Sequence, residues 1–259
     1  MSGIHETAII SSDAKLHESV TVGAYSIIEG DVSIGADTVV GPHCVIKGRT
    51  TIGERNRIYQ FCSVGEDPQD KKYAGEDTSL VIGNDNTFRE YCTLNRGTSQ
   101  DKGQTIVGDN NWLMAYVHIA HDCEIGNETV FANNVTLAGH VTVGDFVIWG
   151  GFSGAHQFVR VGPYAFIANN AGVSRDVPPY IMASGQPAVP RGVNSEGLKR
   201  RNFDQQQVKN IKDAYRLLYR SEMRLEEATE QIQGRVGEQP ELKIFGDFLS
   251  NVADRSIVR

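Results

Sequence analysis

The stretch VTVGAYSIIEGDVSIGADTVVGPHCVIKG, residues 20–48, places an aliphatic side chain at every sixth position, with a small residue usually two places before it. The aliphatic positions in this stretch are Val22, Ile28, Ile34, Val40 and Ile46. The frame runs from Ile4 to Val64, resumes at Ile82, slips by one residue after Leu94 and continues from Val107 to Val173. A repeat of six is too short for a helix and suits a short strand followed by a turn.

Three such repeats would close one triangular coil of about 18 residues, and about 26 repeats would stack into eight or nine coils. The aliphatic residue would fill the interior, and the small residue would leave room for it. The glycine that often follows would supply a backbone conformation that other residues resist. The predicted fold class is therefore an all-β parallel β-helix, a solenoid of hexapeptide repeats. A β-sandwich of short strands is the alternative, but a sandwich does not require a period of six without drift.

Two segments break the frame and are predicted to be loops ejected from the solenoid. Residues 66–79 place Asp70 at an aliphatic position, and residues 98–104 contain the slip. Loops of this kind are frequently functional. The solenoid is expected to cover residues 1–190. Beyond it, apolar residues recur at spacings of three and four, which predicts a C-terminal α-helical domain over residues 191–259 that caps the open end.

The net charge of −7 is unevenly distributed. Residues 1–190 carry 12 Lys and Arg against 21 Asp and Glu, a net of −9, whereas residues 191–259 carry 13 against 11, a net of +2. An acidic body argues against nucleic acid as a partner. No apolar run approaches the roughly 18 residues of a membrane span, and the N-terminus lacks the pattern of a secretory signal. We expect a cytoplasmic protein without integral membrane association.

The cysteines and histidines occupy different positions of the repeat. All four cysteines stand two places before an aliphatic residue, so we expect them to be reduced, to point inward and not to act as nucleophiles. These are Cys44, Cys62, Cys92 and Cys123. Four histidines fall on neither inward position and are expected on the walls or corners of the prism: His118, His121, His140 and His156. Asp122 follows His121 directly and could orient it and raise its basicity. Solvated surface histidines are the alternative.

Four blocks, taken in order, carry a family resemblance: HIAHD at residues 118–122, LAGHV at 137–141, HQF at 156–158 and NSEGLKRR at 194–201. Together with the repeat they resemble the hexapeptide-repeat acyltransferases, whose fold is a left-handed parallel β-helix and which assemble as homotrimers. The resemblance covers essentially the whole chain. It extends to the members that move an (R)-3-hydroxyacyl chain from acyl carrier protein to the 3-hydroxyl of UDP-N-acetylglucosamine, the first step of lipid A biosynthesis. It implies an enzyme that needs no cofactor beyond the phosphopantetheine of the carrier, and no metal.

The resemblance also implies where the catalytic groups lie, in a groove between neighbouring prisms. His121 would be the general base, and Asp122 the carboxylate that orients it. His140 and the backbone of Gly139 would lie beside the reacting carbonyl, and His118 would line the same site. Since no outward Cys or Ser stands in a recognisable nucleophile setting, direct transfer is favoured over an acyl-enzyme.

The other implied residues bind substrate. Asp70 and Lys72 resemble a pair that contacts the sugar and phosphates across the interface between subunits. His156 and Gln157 resemble sugar and acyl contacts. A further set resembles the groups near the nucleotide and the phosphopantetheine: Asn194, Glu196, Arg200 and Arg201.

The chain departs from the family pattern at two places. Ala168 and Asn169 replace the glycine pair that ends the acyl groove in members using long chains, and Asn169 has the same outward phase in the repeat as His121. An asparagine there would shorten the groove, which favours acyl chains of about 10–12 carbons over 14. Within residues 185–188, Pro187 stands where the family has a histidine, so that contact is missing.

A row of cations in the C-terminal region is a candidate docking surface for the acidic acyl carrier protein. The cations recur at spacings of three and four, which puts them on one face of a helix: Lys209, Lys212, Arg216 and Arg220. Lys199 lies shortly before them. A solvated face paired with Asp213 is the alternative.

Two other classes of protein use such a prism. The gamma-type carbonic anhydrases also gather histidines between subunits, but their two same-chain ligands are five residues apart, whereas His118 and His121 are three apart. A non-catalytic solenoid scaffold would have regular outer faces without ejected loops. Within the acyltransferases, the N-acyltransferases carry an extra N-terminal domain, which we do not expect here because the repeat begins at Ile4.

Overall fold

The computed structural model describes residues 3–252 and 256–259. The chain winds into a prism with three faces, and each face is a sheet of short strands. Parallel partners in adjacent full coils lie 18 residues apart, as in the register of His118 with Thr136 and of Ile119 with Leu137. The coil of three hexapeptide repeats is therefore confirmed.

The strands define the three faces. Face 1 consists of Ile9–Ile10, Ile27–Glu29, Val45–Lys47, Ser63–Glu66, Thr93–Asn95, His118–Ile119, Thr136–Leu137, Gly154–Ala155 and Gly172–Val173. Face 2 consists of Lys15–Leu16, Val32–Ile34, Arg49–Ile52, Ser79–Ile82, Gln104–Val107, Glu124–Ile125, Thr142–Val143 and Arg160–Val161. Face 3 consists of Thr21–Val22, Val39–Val40, Arg57–Ile58, Thr87–Phe88, Trp112–Leu113, Val130–Phe131, Ile148–Trp149, Phe166–Ile167, Ile181–Ser184 and Val189–Val193, the last two being antiparallel. The turns between them form corners 1–2, 2–3 and 3–1.

The interior contains the side chains that the period of six assigned to it. Ile119 and Leu137 are fully buried, and Phe131 and Trp149 take the same inward position in their coils. Burial of one such side chain stabilises the fold by roughly 1.5–3 kcal/mol. The four cysteines are free and buried, as predicted. Burial raises the pKa of the Cys123 thiol to about 12, which leaves it protonated and unreactive.

The prediction that glycine supplies an unusual backbone conformation is wrong in most coils. Of the five glycines that follow an aliphatic residue before the first loop, only Gly65 has a positive φ, of 80°. The left-handed conformation falls instead two residues after the glycine, on side chains such as Asp37, with a φ of 59°. Glycine is needed for the close approach of successive coils, because a Cβ on Gly35 would lie 2.7 Å from the carbonyl carbon of Gly53.

Both ejected loops leave the prism at corner 1–2. Loop 1, residues 67–78, joins Ser63–Glu66 to Ser79–Ile82, and loop 2, residues 96–103, joins Thr93–Asn95 to Gln104–Val107. In the next three coils the same corner carries His121, then His140, then His156. The loops and three of the four predicted histidines therefore lie along a single edge of the prism.

Among the described residues, four α-helices follow the last strand: α1 (Ser195–Arg200), α2 (Gln205–Arg220), α3 (Leu225–Gln233) and α4 (Lys243–Ser250), with a 3-10 turn at Pro240–Leu242. Asp204 begins α2 through a capping box with Gln207. The helices pack on the end of the solenoid, where the Tyr180 hydroxyl donates to the Glu241 carbonyl oxygen at 2.6 Å. No helix within the described residues is both long enough and apolar enough to cross a membrane.

Candidate active site

A cavity of about 700 Å³ opens at corner 1–2, and we call it the corner cavity. Loop 1 contributes Asp70 and Lys72 to its wall, loop 2 contributes Asp101, and the corners of the following coils contribute His121 and His140. The cavity therefore brings together groups as far apart in sequence as Asp70 and Gln157, because the loops and corners are stacked on one edge.

His121 and Asp122 form a hydrogen-bonded pair beside this cavity. His121 Nδ1 lies 2.8 Å from Asp122 Oδ2, and Asp122 is only 2% exposed. The Thr98 backbone N–H and hydroxyl also donate to the carboxylate, at 2.9 and 2.7 Å. Burial opposes ionisation, but the hydrogen bonds from His121 and Thr98 outweigh it and hold the pKa of Asp122 below its usual value. An ionised carboxylate can accept hydrogen bonds but cannot donate them. Nδ1 of His121 therefore carries the hydrogen, and Nε2 is left as the basic nitrogen.

Gly139 provides the space that the His121 ring occupies. A Cβ at Gly139 would lie 2.5 Å from Cε1, 2.7 Å from Nε2 and 3.0 Å from Nδ1 of that ring. The Gly139 N–H donates to no acceptor within residues 3–252 and 256–259. A backbone donor in a rigid coil, next to the basic nitrogen, is suited to stabilising a developing oxyanion.

His140 is held on three sides. Its ring stacks on Phe158 with the centroids 4.2 Å apart, and it meets the edge of His121 at 5.0 Å. Its Nδ1 lies 2.7 Å from Asp101 Oδ2 and 3.8 Å from Asp122 Oδ2, so only the first is a hydrogen bond. His140 takes the left-handed corner position, with a φ of 64°.

His118 does not line the corner cavity. Its ring lies on face 1, where Nδ1 is 2.7 Å from the Thr93 hydroxyl oxygen. Burial, together with a smaller effect of His121, lowers the pKa of His118. His118 therefore stands as a neutral side chain next to the pair, separated from the cavity that the pair faces.

The donor atoms of His121, Asp122 and His140 lie within 4.8 Å of one another, so we tested whether they fit a metal. Two ligands about 2.0–2.1 Å from a tetrahedral zinc are roughly 3.3 Å apart. The 2.8 Å between His121 Nδ1 and Asp122 Oδ2 is shorter and is an ordinary hydrogen-bond length. The geometry fits a histidine–carboxylate pair better than a metal centre of the carbonic anhydrase kind.

The second set of predicted residues lies elsewhere on the chain. A cavity of about 650 Å³ on face 3, which we call the face-3 cavity, is lined by the whole of this set: Asn194, Glu196, Arg200 and Arg201. Arg201 is ion-paired with Glu128, and its guanidinium lies 4.5 Å over the ring of Phe146, both from corner 2–3. In a triangular cross-section, face 3 lies opposite corner 1–2, so one chain does not bring this set to His121.

Asp70 and Lys72, which resemble a pair that contacts the sugar and phosphates across a subunit interface, line the same cavity as His121 within one chain. One expectation needs correction. Asn169 was expected to share the outward side of His121, but it follows face 3 and lies at corner 3–1, packed over Gly150 of the preceding coil. The physical reason is that a period of six defines inward and outward positions, whereas a coil has three corners.

A groove of about 550 Å³, the face-1 groove, runs past His156. It is open because Gly154 and Gly172 occupy outward strand positions, and it is bounded by Gln186 and Pro187. Ala168 and Asn169 do not line it; Asn170 does. Gln157, by contrast, lines the corner cavity.

The proposed docking row lies on the solvent side of α2. Its cations are all exposed: Lys209, Lys212, Arg216 and Arg220. Arg216 is paired with Asp213 at 2.7 Å, and the exposed Lys199 is paired with Glu196 at 2.8 Å. The predicted single helix face is therefore present, and part of its charge is already paired.

Sequence reasoning missed Thr98 and Asp101, the two residues of loop 2 that hold Asp122 and His140. The available signal was the position of the loop. Counting coils rather than single repeats places loop 2 at the corner that His121 occupies one coil later.

Comparisons with known proteins agree on one family. The model of bacterial transferase hexapeptide repeats matches residues 13–48 and 104–139, and the model described as UDP-N-acetylglucosamine O-acyltransferase, domain 2, matches residues 176–258. Acyl-[acyl-carrier-protein]–UDP-N-acetylglucosamine O-acyltransferases of Thiobacillus denitrificans and of a Janthinobacterium species are 55% and 54% identical, each aligned over all of both chains.

Solved structures agree as well. The UDP-N-acetylglucosamine acyltransferase of Francisella novicida superimposes with a TM-score of 0.97 at 42% identity, covering 99% of this chain and 94% of that one. The O-acyltransferase of Moraxella catarrhalis gives 0.97 at 44%, covering 99% of each chain. The expected class, a left-handed parallel β-helix with a C-terminal helical domain, is confirmed.

Proposed function

The chain belongs to the acyl-[acyl-carrier-protein]–UDP-N-acetylglucosamine O-acyltransferase family, and we propose that it moves an (R)-3-hydroxyacyl chain from acyl carrier protein to the 3-hydroxyl of UDP-N-acetylglucosamine. The observation that carries the proposal is the His121–Asp122 pair, packed against Gly139 in a cavity that Lys72 borders. The reaction would be the first step of lipid A biosynthesis and would take place in the cytoplasm.

The chemistry follows from the protonation of the pair. The sugar hydroxyl gives its proton to Nε2 of His121 as its oxygen attacks the thioester carbonyl. The Gly139 N–H donates to the oxyanion that forms. When the intermediate collapses, the carbon–sulfur bond breaks and the phosphopantetheine sulfur takes the proton from His121. Asp122 stays ionised throughout and holds the Nδ1–H. A thioester is already activated, so the mechanism uses no metal and no cofactor besides the phosphopantetheine.

Binding would be divided between the two cavities. Lys72 offers a cation to the phosphates, while Asp70, which accepts the backbone N–H of Lys72 at 3.0 Å, offers an acceptor to a sugar hydroxyl. Arg200 and Arg201 at the face-3 cavity offer cations to the nucleotide and to the carrier arm. Holding both substrates in one groove would supply much of the remaining rate.

We propose a homotrimer because the two cavities lie on opposite sides of one prism. If three copies pack with corner 3–1 innermost, face 1 of one copy meets face 3 of the next. The outer edges of those faces, corner 1–2 of one copy and corner 2–3 of its neighbour, then come together. The face-3 cavity is lined from corner 2–3 by Glu128 and Phe146, so this arrangement would complete the site.

An exposed aromatic row supports packing along corner 3–1. Five rings stack there in successive coils, with centroids 4.9–5.3 Å apart: Tyr25, His43, Phe61, Tyr91 and Tyr116. The four tyrosine and phenylalanine residues among them are 43–61% exposed in the single chain. A continuous exposed aromatic row is stabilised when a second surface covers it.

The acyl chain would run along the face-1 groove away from the corner cavity. Gly154 and Gly172 leave that face open, and Gln186 and Asn170 stand at its boundary. We propose a donor of about 10–12 carbons, because polar side chains at the end of an apolar groove disfavour each further methylene by roughly 0.8 kcal/mol.

Complementation between two inactive variants, His121→Ala and Arg200→Ala, tests the proposal. Purified protein should acylate UDP-N-acetylglucosamine from a 3-hydroxyacyl carrier protein, and His121→Ala should lower kcat by about a hundredfold or more while the protein stays folded. Mixed trimers of His121→Ala and Arg200→Ala subunits should regain about a quarter of wild-type activity, because that share of interfaces is intact. Mixtures of His121→Ala with Asp70→Ala should not recover, since both lie in one cavity. Near-normal turnover by His121→Ala would remove the assignment of the base.

A further inference from the structure

Loop 2 holds Asp122, the carboxylate partner of His121, and supplies the carboxylate partner of His140. Thr98 donates twice to Asp122, which in turn accepts from His121. Asp101, three residues later, accepts from Nδ1 of His140 at 2.7 Å. The cavity therefore contains two histidine–carboxylate pairs, and one loop supports both.

We propose that Asp101 is a positioning residue that fixes the tautomer of His140 and keeps that ring away from Asp122. This inference rests on the proposed function, in which His140 lies beside the reacting carbonyl. An ionised carboxylate only accepts, so Asp101 places the hydrogen of His140 on Nδ1 and leaves Nε2 as the nitrogen for a substrate.

The need for such a residue follows from the crowding of the site. His140 Nδ1 lies 3.8 Å from Asp122 Oδ2, only 1.0 Å further than His121 Nδ1 does. Without Asp101, the Nδ1–H of His140 would turn to Asp122, the nearest remaining carboxylate. Asp122 would then be shared between two imidazoles, and the base would lose part of its orienting partner. With Asp101 in place, each imidazole has its own carboxylate: Asp122 for His121 and Asp101 for His140.

The ring of His140 has no other polar anchor among the residues described. Phe158 and His121 fix its plane through a stacked contact and an edge contact, but neither of these contacts distinguishes Nδ1 from Nε2. The hydrogen bond to Asp101 alone selects the nitrogen that carries the hydrogen.

The position of loop 2 does not depend on the Asp101 carboxylate. Lys102 is ion-paired with Glu124, and the Ser99 hydroxyl donates to Glu76 of loop 1 at 3.2 Å. Removing the carboxylate should therefore leave the loop in place. Lys102→Ala provides a matched control, because it loosens the same loop without touching His140.

The experiment combines kinetics with imidazole nitrogen-15 NMR on the full-length protein labelled at histidine. Asp101→Ala should lower kcat on the order of tenfold while the KM for UDP-N-acetylglucosamine stays within twofold. The Nδ1–H signature of His140 should be lost, and Asp101→Glu should restore part of both. Lys102→Ala should keep the signature and a kcat within twofold of wild type.

An unchanged His140 signal in Asp101→Ala would overturn the proposal, whatever the rate. A loss of rate in Lys102→Ala equal to that in Asp101→Ala would do the same, since the loop rather than the carboxylate would then matter. The NMR arm needs no turnover. If wild-type protein failed to acylate UDP-N-acetylglucosamine, the proposed function would be refuted. The NMR measurement would still test whether Asp101 fixes the tautomer of His140.

Discussion

Gly139→Ala should disable the base without unfolding the protein. The new methyl carbon would lie 2.5 Å from Cε1 and 2.7 Å from Nε2 of His121, where ordinary contacts begin at about 3.4 Å. The ring must therefore retreat by about 1 Å, which would disturb its 2.8 Å hydrogen bond with Asp122. Gly139 does not use a positive φ, so alanine adds no backbone strain, and the backbone N–H proposed for the oxyanion remains.

A misplacement of about 1 Å in a catalytic group costs on the order of a hundredfold in rate, or about 2.7 kcal/mol in the barrier. Gly151→Ala is the matched control, because Gly151 occupies the same place in its corner and a Cβ there would meet nothing closer than 3.3 Å. Steady-state rates with saturating carrier and sugar nucleotide should show the loss in Gly139→Ala only. The melting temperatures of both variants should stay within a few degrees of wild type. Full activity in Gly139→Ala, or an equal loss in Gly151→Ala, would refute the reasoning.

Three further outcomes are expected. Charge reversal at Lys212 and Arg216 should raise the KM for the acyl donor and its dependence on salt, and leave the KM for UDP-N-acetylglucosamine unchanged; an unchanged donor KM would favour a merely solvated face. If the face-1 groove determines the preferred acyl-chain length, Asn169→Gly should leave the preference among C10, C12 and C14 donors unchanged. A shift of that preference toward C14 would show that Asn169, at corner 3–1, limits the chain length instead. The pKa of His118 is lower in the folded protein than in the unfolded chain, so on acidification the unfolded chain is protonated at a higher pH than the folded protein. The free energy of unfolding should therefore fall as the pH drops below about 6.5. Followed from pH 8 to 5, this fall should be smaller in His118→Gln.

The fold was predictable because the period of six is enforced at every coil. The inward position can also hold a large ring, because the rings of Phe131 and Trp149 stack on each other with their centroids 6.0 Å apart. The role of glycine was not predictable in the same way. Whether Gly35 is needed for φ or for the approach of Gly53 depends on the neighbouring coil, which a local pattern does not contain.

The site was predictable in its parts and not in their grouping. His121 and Asp122 are adjacent in sequence, so their pairing needed only one local contact. The position of Asn169 relative to His121 depends on which of the three corners each residue occupies. Their separation of 48 positions equals two full coils of 18 residues plus two-thirds of a third coil, so the two residues lie at different corners. Loop residues such as Asp101 lie outside the repeat altogether, so no period relates them to His140.

The separation of the two cavities has a consequence for how assembly and catalysis depend on each other. Each prism buries a hydrophobic core made of its own side chains, so we expect a single chain to keep its fold without a neighbour. His121 and Arg201 lie on opposite sides of that prism, and the ion pair of Arg201 with Glu128 ties it to corner 2–3 of its own chain. In the proposed homotrimer, assembly is therefore required for the chemistry rather than for stability of the solenoid. Dilution that separates the subunits should abolish acyl transfer before it changes the circular dichroism of the β-helix.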